Sequence, residues 1–452
     1  MKTIFISIFQ GVEAKNILRT DIYKELVSNK DVRLVFFLGS KEKAEYYKKE
    51  FSNFNVVYEV IKPYRLSGLN KFFSNLSFRF LNTDTVKLKR RMALDVDKKY
   101  ISYCFDYILN KIIARPFFRR IARYLDYCFA KSYFFYEYFE KYKPSAVFLA
   151  HLFDDLEINF LKEARYRGVK SIGFINSWDK LTARNVIRIL PDKLLVFNNI
   201  VKKEAIDYAD MKEKDIEVVG IPQYDQYVKN NHTNREGFCL EFGLDINKRT
   251  IVYAPNGKYS STSDGSMIDF LYSLVNNGAI SNAQLLVRFQ PNDFVDMEEI
   301  KKRPWLVYDV PGIRFSKERG VDWDMDGNDL RRLSDTLKNT DLFICYTSSL
   351  SIDAAVFNKP VINIDFDLEK QEGFLGSPRQ YYRMTHYKNA INTGGVKVVK
   401  NKEGIIFWIN SYLDNPELDS AGRKRLVEEQ CWKIDGKSGK RIANYIINIL
   451  NN

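Results

Sequence analysis

Asp341-Leu-Phe-Ile-Cys-Tyr-Thr-Ser-Ser-Leu-Ser-Ile-Asp-Ala-Ala-Val-Phe-Asn-Lys-Pro-Val-Ile-Asn-Ile-Asp365 is the stretch from which the fold can be read. Leu342–Cys345 is a short apolar run with the length and composition of a buried strand. Thr347-Ser348-Ser349 then opens a helix, and Asn358-Lys359-Pro360 closes it, because proline has no N–H with which to continue the ladder. Val361–Ile364 returns as a second strand, parallel to the first, which completes a βαβ unit. Free N–H groups at the helix start, the positive end of its dipole and the hydroxyls form a pocket suited to a pyrophosphate. Ser349 as an ordinary N-cap is the plainer account of the same residues.

Working outward, short β-branched runs alternate with helical periods, the pattern of parallel sheets covered by helices. Strands are expected at Thr3–Phe9, Arg33–Leu38, Asn55–Glu59, Ala146–Ala150, Ser171–Ile175, Lys193–Phe197 and Glu217–Val219, and then at Thr250–Ala254, Ala283–Arg288, Leu342–Cys345 and Val361–Ile364. The polar stretch Tyr227 to Gly237 separates the two sets and reads as a linker. A chain of 452 residues exceeds one core. The expectation is an α/β protein of two Rossmann-like lobes facing a cleft. Residues 1–228 form the first, acceptor lobe and 237–430 the second, donor lobe, with the helix in 431–452 packing back across them.

The net charge is +13, which favours an anionic partner: phosphate, lipid headgroup or nucleic acid. Most of it is local. Residues 61–143 hold 18 Lys/Arg against 7 Asp/Glu, with 21 aromatics, in runs such as Arg115-Pro-Phe-Phe-Arg-Arg-Ile-Ala-Arg-Tyr124. A minimal Rossmann lobe has no such segment, so it is expected to be a helical insertion. Basic residues beside aromatics suit an anionic membrane surface; the aromatics packing onto the first lobe, with the charges solvated, is the alternative. No RNA- or DNA-binding signature accompanies it, so nucleic acid is not expected. Five scattered cysteines without a CxxC pair fit a reducing compartment. Met1–Gln10 reads as a strand and not as a signal peptide, and Tyr100–Phe118 is broken by Asp106, Lys111 and Arg115, so no span is expected. These features point to a cytoplasmic protein, peripheral on the inner membrane face if the insertion binds lipid.

Further motifs lie in order along the chain. They are Ile172-Gly-Phe-Ile-Asn-Ser-Trp-Asp-Lys-Leu-Thr182, Val219-Gly220-Ile-Pro222-Gln-Tyr-Asp225 and Asp435-Gly-Lys-Ser-Gly-Lys-Arg-Ile442. With the βαβ unit they resemble the GT-B transferases, in the bacterial surface-polysaccharide branch that includes CDP-glycerol glycerophosphotransferases, UDP-sugar 2-epimerase relatives and capsule glycosyltransferases. That resemblance covers most of the chain outside 61–143. It implies a nucleotide-activated donor bound by the second lobe, with Ser348, Ser349, Lys359 and Pro360 matching the donor-phosphate unit.

On this pattern the donor-binding candidates are Asn256 and Lys258 in Ala254-Pro-Asn-Gly-Lys258, Arg288, Thr347, Ser348, Ser349, Asp353, Arg379, Arg383 and His386. Relatives often carry His where this chain has Gln290, which removes that position as a counterpart. Arg288 suits a phosphate because guanidinium grips two oxygens. Asp322-Trp-Asp324-Met-Asp326-Gly327 imitates a DxD or calcium site, but Leu333 stands where calcium needs a bidentate Glu, and an acidic helix cap accounts for it. No catalytic metal and no cofactor are expected; helix dipole and cations would meet the leaving-group charge. The catalytic candidates follow two strands of the first lobe: His151, Asp154 and Asp155, and then Asp179. Asp154 and Asp155 serve equally well as helix caps. Gly11 is a candidate for close approach of substrate to the backbone.

The reading favoured by the resemblance is sugar transfer from a nucleotide-sugar to a surface-glycan or lipid-linked acceptor. The rivals are transfer of a polyol phosphate from a CDP donor, a 2-epimerase, and a non-catalytic membrane- or RNA-binding protein.

Overall fold

The computed structural model describes residues 1–229, 232–257, 261, 263–316, 323–369 and 377–451. Their strands are β1 Lys2–Ile8, β2 Val32–Leu38, β3 Val56–Val60, β4 Ala146–Leu149, β5 Lys170–Phe174, β6 Lys193–Val196, β7 Ile216–Val218, β8 Arg249–Ala254, β9 Ala283–Arg288, β10 Val307–Asp309, β11 Ile313–Arg314, β12 Trp323–Asp324, β13 Leu342–Cys345, β14 Val361–Ile364 and β15 Lys397–Val399. β1 to β7 make one parallel sheet in the order β3-β2-β1-β4-β5-β6-β7. β8 to β10 and β13 to β15 make a second, ordered β10-β9-β8-β13-β14-β15. β11 and β12 pair antiparallel on their own. The eleven expected strands are present, each within a residue of its expected ends. β10, β11, β12 and β15 were not expected: two or three residues carry too little pattern to mark a strand.

Both sheets are buried by helices, which is why their strands are continuous apolar runs. Phe5, Phe37, Phe135 and Phe160 are fully buried around the first sheet, with Phe135 and Phe160 stacked at 3.6 Å between centroids. Tyr253, Val287, Ile344 and Ile362 occupy the same place in the second core. The chain divides into two compact units. One comprises Met1–Arg90, Asp97–Asp225 and Cys431–Asn452, the other Arg91–Val96 and Gln226–Gln430. The crossing falls before the expected linker. Tyr227 is 5 % exposed because its ring packs on Phe357 at 5.4 Å, and a helix occupies Arg235–Phe242.

The closing helix, Ser438–Asn451, belongs to the first unit and packs on the helix Asp21–Ser28. Asp225 caps it, accepting from the N–H groups of Ser438 at 3.0 Å and Gly439 at 2.8 Å. Gly220 holds φ +84°, and a side chain there would meet Ser438 Oγ. Two of the motifs quoted above therefore meet each other in the structure.

Between β3 and β4 come the helices Gly68–Ser77, Asp84–Asp97, Tyr100–Ile113, Pro116–Phe129 and Tyr136–Tyr142. Two of them are inside out. Pro116–Phe129 buries Arg119 and Asp126 and exposes Phe117, Phe118, Ile121, Tyr124, Leu125 and Phe129. Tyr100–Ile113 buries Asn110, which donates to the Arg79 and Leu81 carbonyls, and exposes Ile101, Phe105, Ile108 and Ile112. Ions fix the inward face. Asp126 pairs with Lys162 at 2.7 Å and Arg188 at 2.8 Å, and Asp210 with Arg119 at 2.6 Å and Arg123 at 2.5 Å.

Candidate active site

In the second unit the candidate donor residues gather at the C-terminal ends of β8, β9, β13 and β14, where the strand order reverses between β8 and β13. Ligands of open parallel sheets collect at such a switch point. The turn after β13 is open: Thr347 and Ser348 are half-buried and Ser349 is exposed. Its shape is set from beneath. The Tyr387 hydroxyl accepts from the Ser348 N–H at 3.3 Å and donates to Asn363 Oδ1 at 2.5 Å. Asn363 in turn donates to the Tyr346 carbonyl at 2.9 Å. Ser348 Oγ accepts from the Leu350 N–H at 3.2 Å, so the capping side chain is Ser348 and not Ser349. Asp353, one turn into the helix Leu350–Val356, is buried and accepts from the Tyr227 hydroxyl at 2.6 Å.

The other donor candidates are distributed as follows. Asn256 is half-buried in a loop whose backbone is tied down: the Asn256 and Gly257 N–H groups donate to Asp264, and Gln290 donates to the Asn256 carbonyl at 2.6 Å. Gly257 holds φ +88°, and a Cβ there would strike Asp293 and Gln290. Lys258 lies outside the described residues. Arg288 is buried against Asp309, which Arg332 also grips at 2.5 Å; burial and the Arg332 charge pull its pKa down to about 10. Its charge is met within the protein, so it offers a phosphate less than an open guanidinium would. Arg379 is exposed and pairs with Asp365 at 3.1 Å, Arg383 is exposed, and His386 is buried in the helix Thr385–Asn392. Asp326 caps the helix Gly327–Asn339, accepting from the Asp329 N–H at 2.8 Å, while Asp322 lies outside the described residues.

In the first unit the switch point lies between β1 and β4, and a buried polar cluster occupies it. Two carboxylates bind the ends of these neighbouring strands. Glu13 accepts from the Phe9 N–H at 2.5 Å and the Gln10 N–H at 3.1 Å. Glu157 accepts from the His151 N–H at 3.0 Å, the Leu152 N–H at 2.6 Å and the Ser7 hydroxyl. Burial raises Glu157 to about 7, and burial together with the Glu157 charge holds Glu13 well above the usual carboxylate range. Lys180 is buried as well, which lowers its ammonium to about 8 in spite of Asp179 beside it. His151 is 5 % exposed, and burial with the Lys180 and Arg184 charges pushes its pKa well below the usual value.

Of the remaining candidates, Asp154 caps the helix Asp155–Tyr166 through the Leu156 N–H at 2.8 Å. Asp155 is joined to Arg188 at 2.8 Å and Ser74 at 3.3 Å, in the ion network beneath the helices between β3 and β4. Asp179 precedes the short helix Lys180–Ala183 and accepts from the Ser177 hydroxyl at 2.5 Å. Gly11 begins the buried helix Gly11–Ile17.

Residues 180–448, more than half of the chain, match the family of CDP-glycerol:poly(glycerophosphate) glycerophosphotransferases. The chain belongs to this family. It is a transferase on that ground, and sugar transfer in particular is not what the family carries. Solved structures agree on the fold. A UDP-GlcNAc 2-epimerase from Neisseria meningitidis, bound to UDP-GlcNAc, is 12% identical with a TM-score of 0.56 over 99% of this chain and 100% of that one. A glycosyltransferase from Rickettsia africae is 12% identical with a TM-score of 0.51, covering 100% of this chain and 99% of the other. The wall teichoic acid polymerase TagF with CDPG is 12% identical with a TM-score of 0.50, covering 100% and 89%. At such identities they establish a GT-B fold and no more. No protein of curated function matches the sequence.

The family match begins at Lys180, so the carboxylate pair of the first unit lies outside it. Glu13 and Glu157 were also missed in the sequence, where each reads as an acidic residue in a first helical turn. Gln10 and Glu13 stand at capping-box spacing, which was the one available signal. Tyr387 and Asn363, which shape the serine turn, carry no local signal at all.

Proposed function

We propose that this family member moves a polyol phosphate of the glycerol phosphate class from a CDP-linked donor to a hydroxyl of a surface polymer or lipid-linked acceptor. The family match over 180–448 carries the reading. In chemical terms the acceptor oxygen attacks the phosphorus that bears the polyol, the bond to CMP breaks, and the hydroxyl proton leaves to a base or water. The groups needed are hydroxyls and cations for the departing phosphate and polar groups for the acceptor. The second unit holds groups of the first kind in Thr347, Ser348, Ser349, Arg379 and Arg383, and the first unit holds groups of the second kind in the cluster around His151 and Lys180. The deciding experiment offers the protein CDP-glycerol or a UDP-sugar with an acceptor and identifies the nucleotide released. CMP supports the proposal, whereas UDP returns the assignment to sugar transfer. Replacing Ser348 and Ser349 with bulky residues is expected to abolish the thermal shift given by CDP; an undiminished shift moves the nucleotide site elsewhere.

A membrane surface fits the inside-out helices. Their exposed rings and aliphatic side chains stand beside exposed Lys98, Lys99, Lys111, Arg115, Arg120 and Lys131. Rings at headgroup depth with cations on lipid phosphates is the geometry of interfacial helices. Among the described residues no helix is long and apolar enough to cross a bilayer. Substituting Phe117, Phe118, Tyr124 and Phe129 by Ser is expected to abolish sedimentation with phosphatidylglycerol vesicles while leaving the melting temperature unchanged. Undiminished sedimentation would discard this surface.

A further inference from the structure

We propose that His151 serves the reaction as a hydrogen-bond donor, through Nε2–H to a phosphoryl oxygen of the substrate, and not as the base. The inference rests on the transferase reading above and reverses the part expected of this histidine from its residue type.

The argument begins in the backbone. Glu157 draws the N–H groups of His151 and Leu152 onto one buried carboxylate. Leu152 is held at φ +62° and is fully buried. An L residue with a side chain takes that left-handed conformation only under strain, so the bonds to Glu157 maintain it. The tight turn brings the Phe153 N–H back onto His151 Nδ1 at 3.3 Å. A backbone N–H can only donate, so Nδ1 presents its lone pair. A neutral imidazole then carries its single proton on Nε2.

The surroundings enforce that neutral form. Burial comes first, and the Lys180 and Arg184 charges add to it, with Asp179 opposing. Nε2 is buried and has no hydrogen-bond partner among the described residues. A buried donor left unpaired is unfavourable, and that penalty is relieved when a ligand supplies an acceptor. Asn176, at the end of neighbouring β5, is 2 % exposed, and both of its amide atoms lack partners among the described residues. Two orphaned groups at adjacent strand ends mark a place built for something polar.

Charge selects what that is. Lys180 and Arg184 are the cations that act on His151, so an anionic oxygen fits better than a neutral hydroxyl. A base role is disfavoured by the same geometry. To accept a proton at Nε2 the ring must first move its own proton to Nδ1, against the Phe153 N–H. No proton is transferred in the proposed role; Nε2–H only reduces negative charge on the phosphoryl group.

The test uses the full chain labelled with nitrogen-15 at its three histidines, 151, 232 and 386, with His151→Gln assigning the signal. The expected spectrum shows a protonated Nε2 and an unprotonated Nδ1 throughout the neutral range; the opposite tautomer or an imidazolium overturns the proposal. CDP and glycerol 3-phosphate are then added separately. Movement of Nε2 with CDP assigns the oxygen to the nucleotide, movement with glycerol 3-phosphate assigns it to the acceptor side, and no movement with either overturns the contact. In turnover, the Gln variant keeps a donor near the Nε2 position and is expected within about tenfold of the parent. His151→Ala is expected to lose about a hundredfold or more. Equal losses in two variants of unchanged melting temperature also overturn the proposal. The thermal shift with CDP and the identity of the nucleotide released test the transferase reading without reference to His151, so its failure is told apart from failure of this one.

Discussion

Glu204 shows what burial alone does to a single carboxyl group. It lies in the helix Asn199–Ala209, where burial and then the Asp179 charge raise it to about 8, and its Oε2 has no partner among the described residues. A carboxyl raised in the folded state binds its proton more tightly there than in the unfolded chain. Its stabilising effect is complete below the usual carboxylate range and is lost as pH climbs through that range to about 8. His151 works in the opposite sense, but only below its own usual range, where the unfolded chain takes up a proton that the buried ring refuses. Glu204→Gln is therefore expected to melt higher than the parent at pH 8, by about 2–4 °C per kcal/mol recovered, with the gap closing toward pH 5. Differential scanning calorimetry at the two pH values reads it, and a gap independent of pH would show that Glu204 does not titrate in this window. None of this was legible in the sequence, where Glu204 is one acidic residue among several in a helix. The start of the helix at Thr347-Ser348-Ser349, by contrast, was legible, although the sequence put the cap on Ser349 and the structure puts it on Ser348.

At the scale of elements, the strands were the most legible part. Leu342–Cys345 and Val361–Ile364 were located to the residue, since a strand buried on both faces is an unbroken apolar run between turn formers. The helices between β3 and β4 show the limit of the same reasoning. Pro116–Phe129 has a clear apolar stripe, and periodicity reveals that a stripe exists without revealing which side faces in. The answer depended on Asp126, Lys162 and Arg188, which are scattered over 62 positions of sequence and meet only in the fold. Because both cations are buried, Asp126→Ala is expected to destabilise the protein by about 3–5 kcal/mol, leaving Lys162 without a carboxylate and Arg188 with Asp155 alone. Urea denaturation measures it; a loss below about 1 kcal/mol would mean that water already reaches the network.

Across the whole molecule, the two-sheet architecture was legible because the strands fall into two sets, yet the crossing point was not. The polar run expected as a linker contains Tyr227, whose hydroxyl is bound to Asp353. Asp225 sits immediately before the crossing and holds Ser438 and Gly439, more than two hundred positions later. Asp225→Ala removes the cap of the closing helix and is expected to cost about 1–2 kcal/mol in urea denaturation; an unchanged midpoint would assign the retention of that helix to its apolar face alone. The arrangement also sets an order of events at the ribosome. The second unit, apart from the short piece Arg91–Val96, is one uninterrupted stretch, whereas the first begins before it and receives Cys431–Asn452 after it. While the chain is being made, the later-starting unit has its residues in hand first, and the earlier one must wait with the apolar face of Asp21–Ser28 uncovered, in the interval when a nascent polypeptide is most open to chaperones.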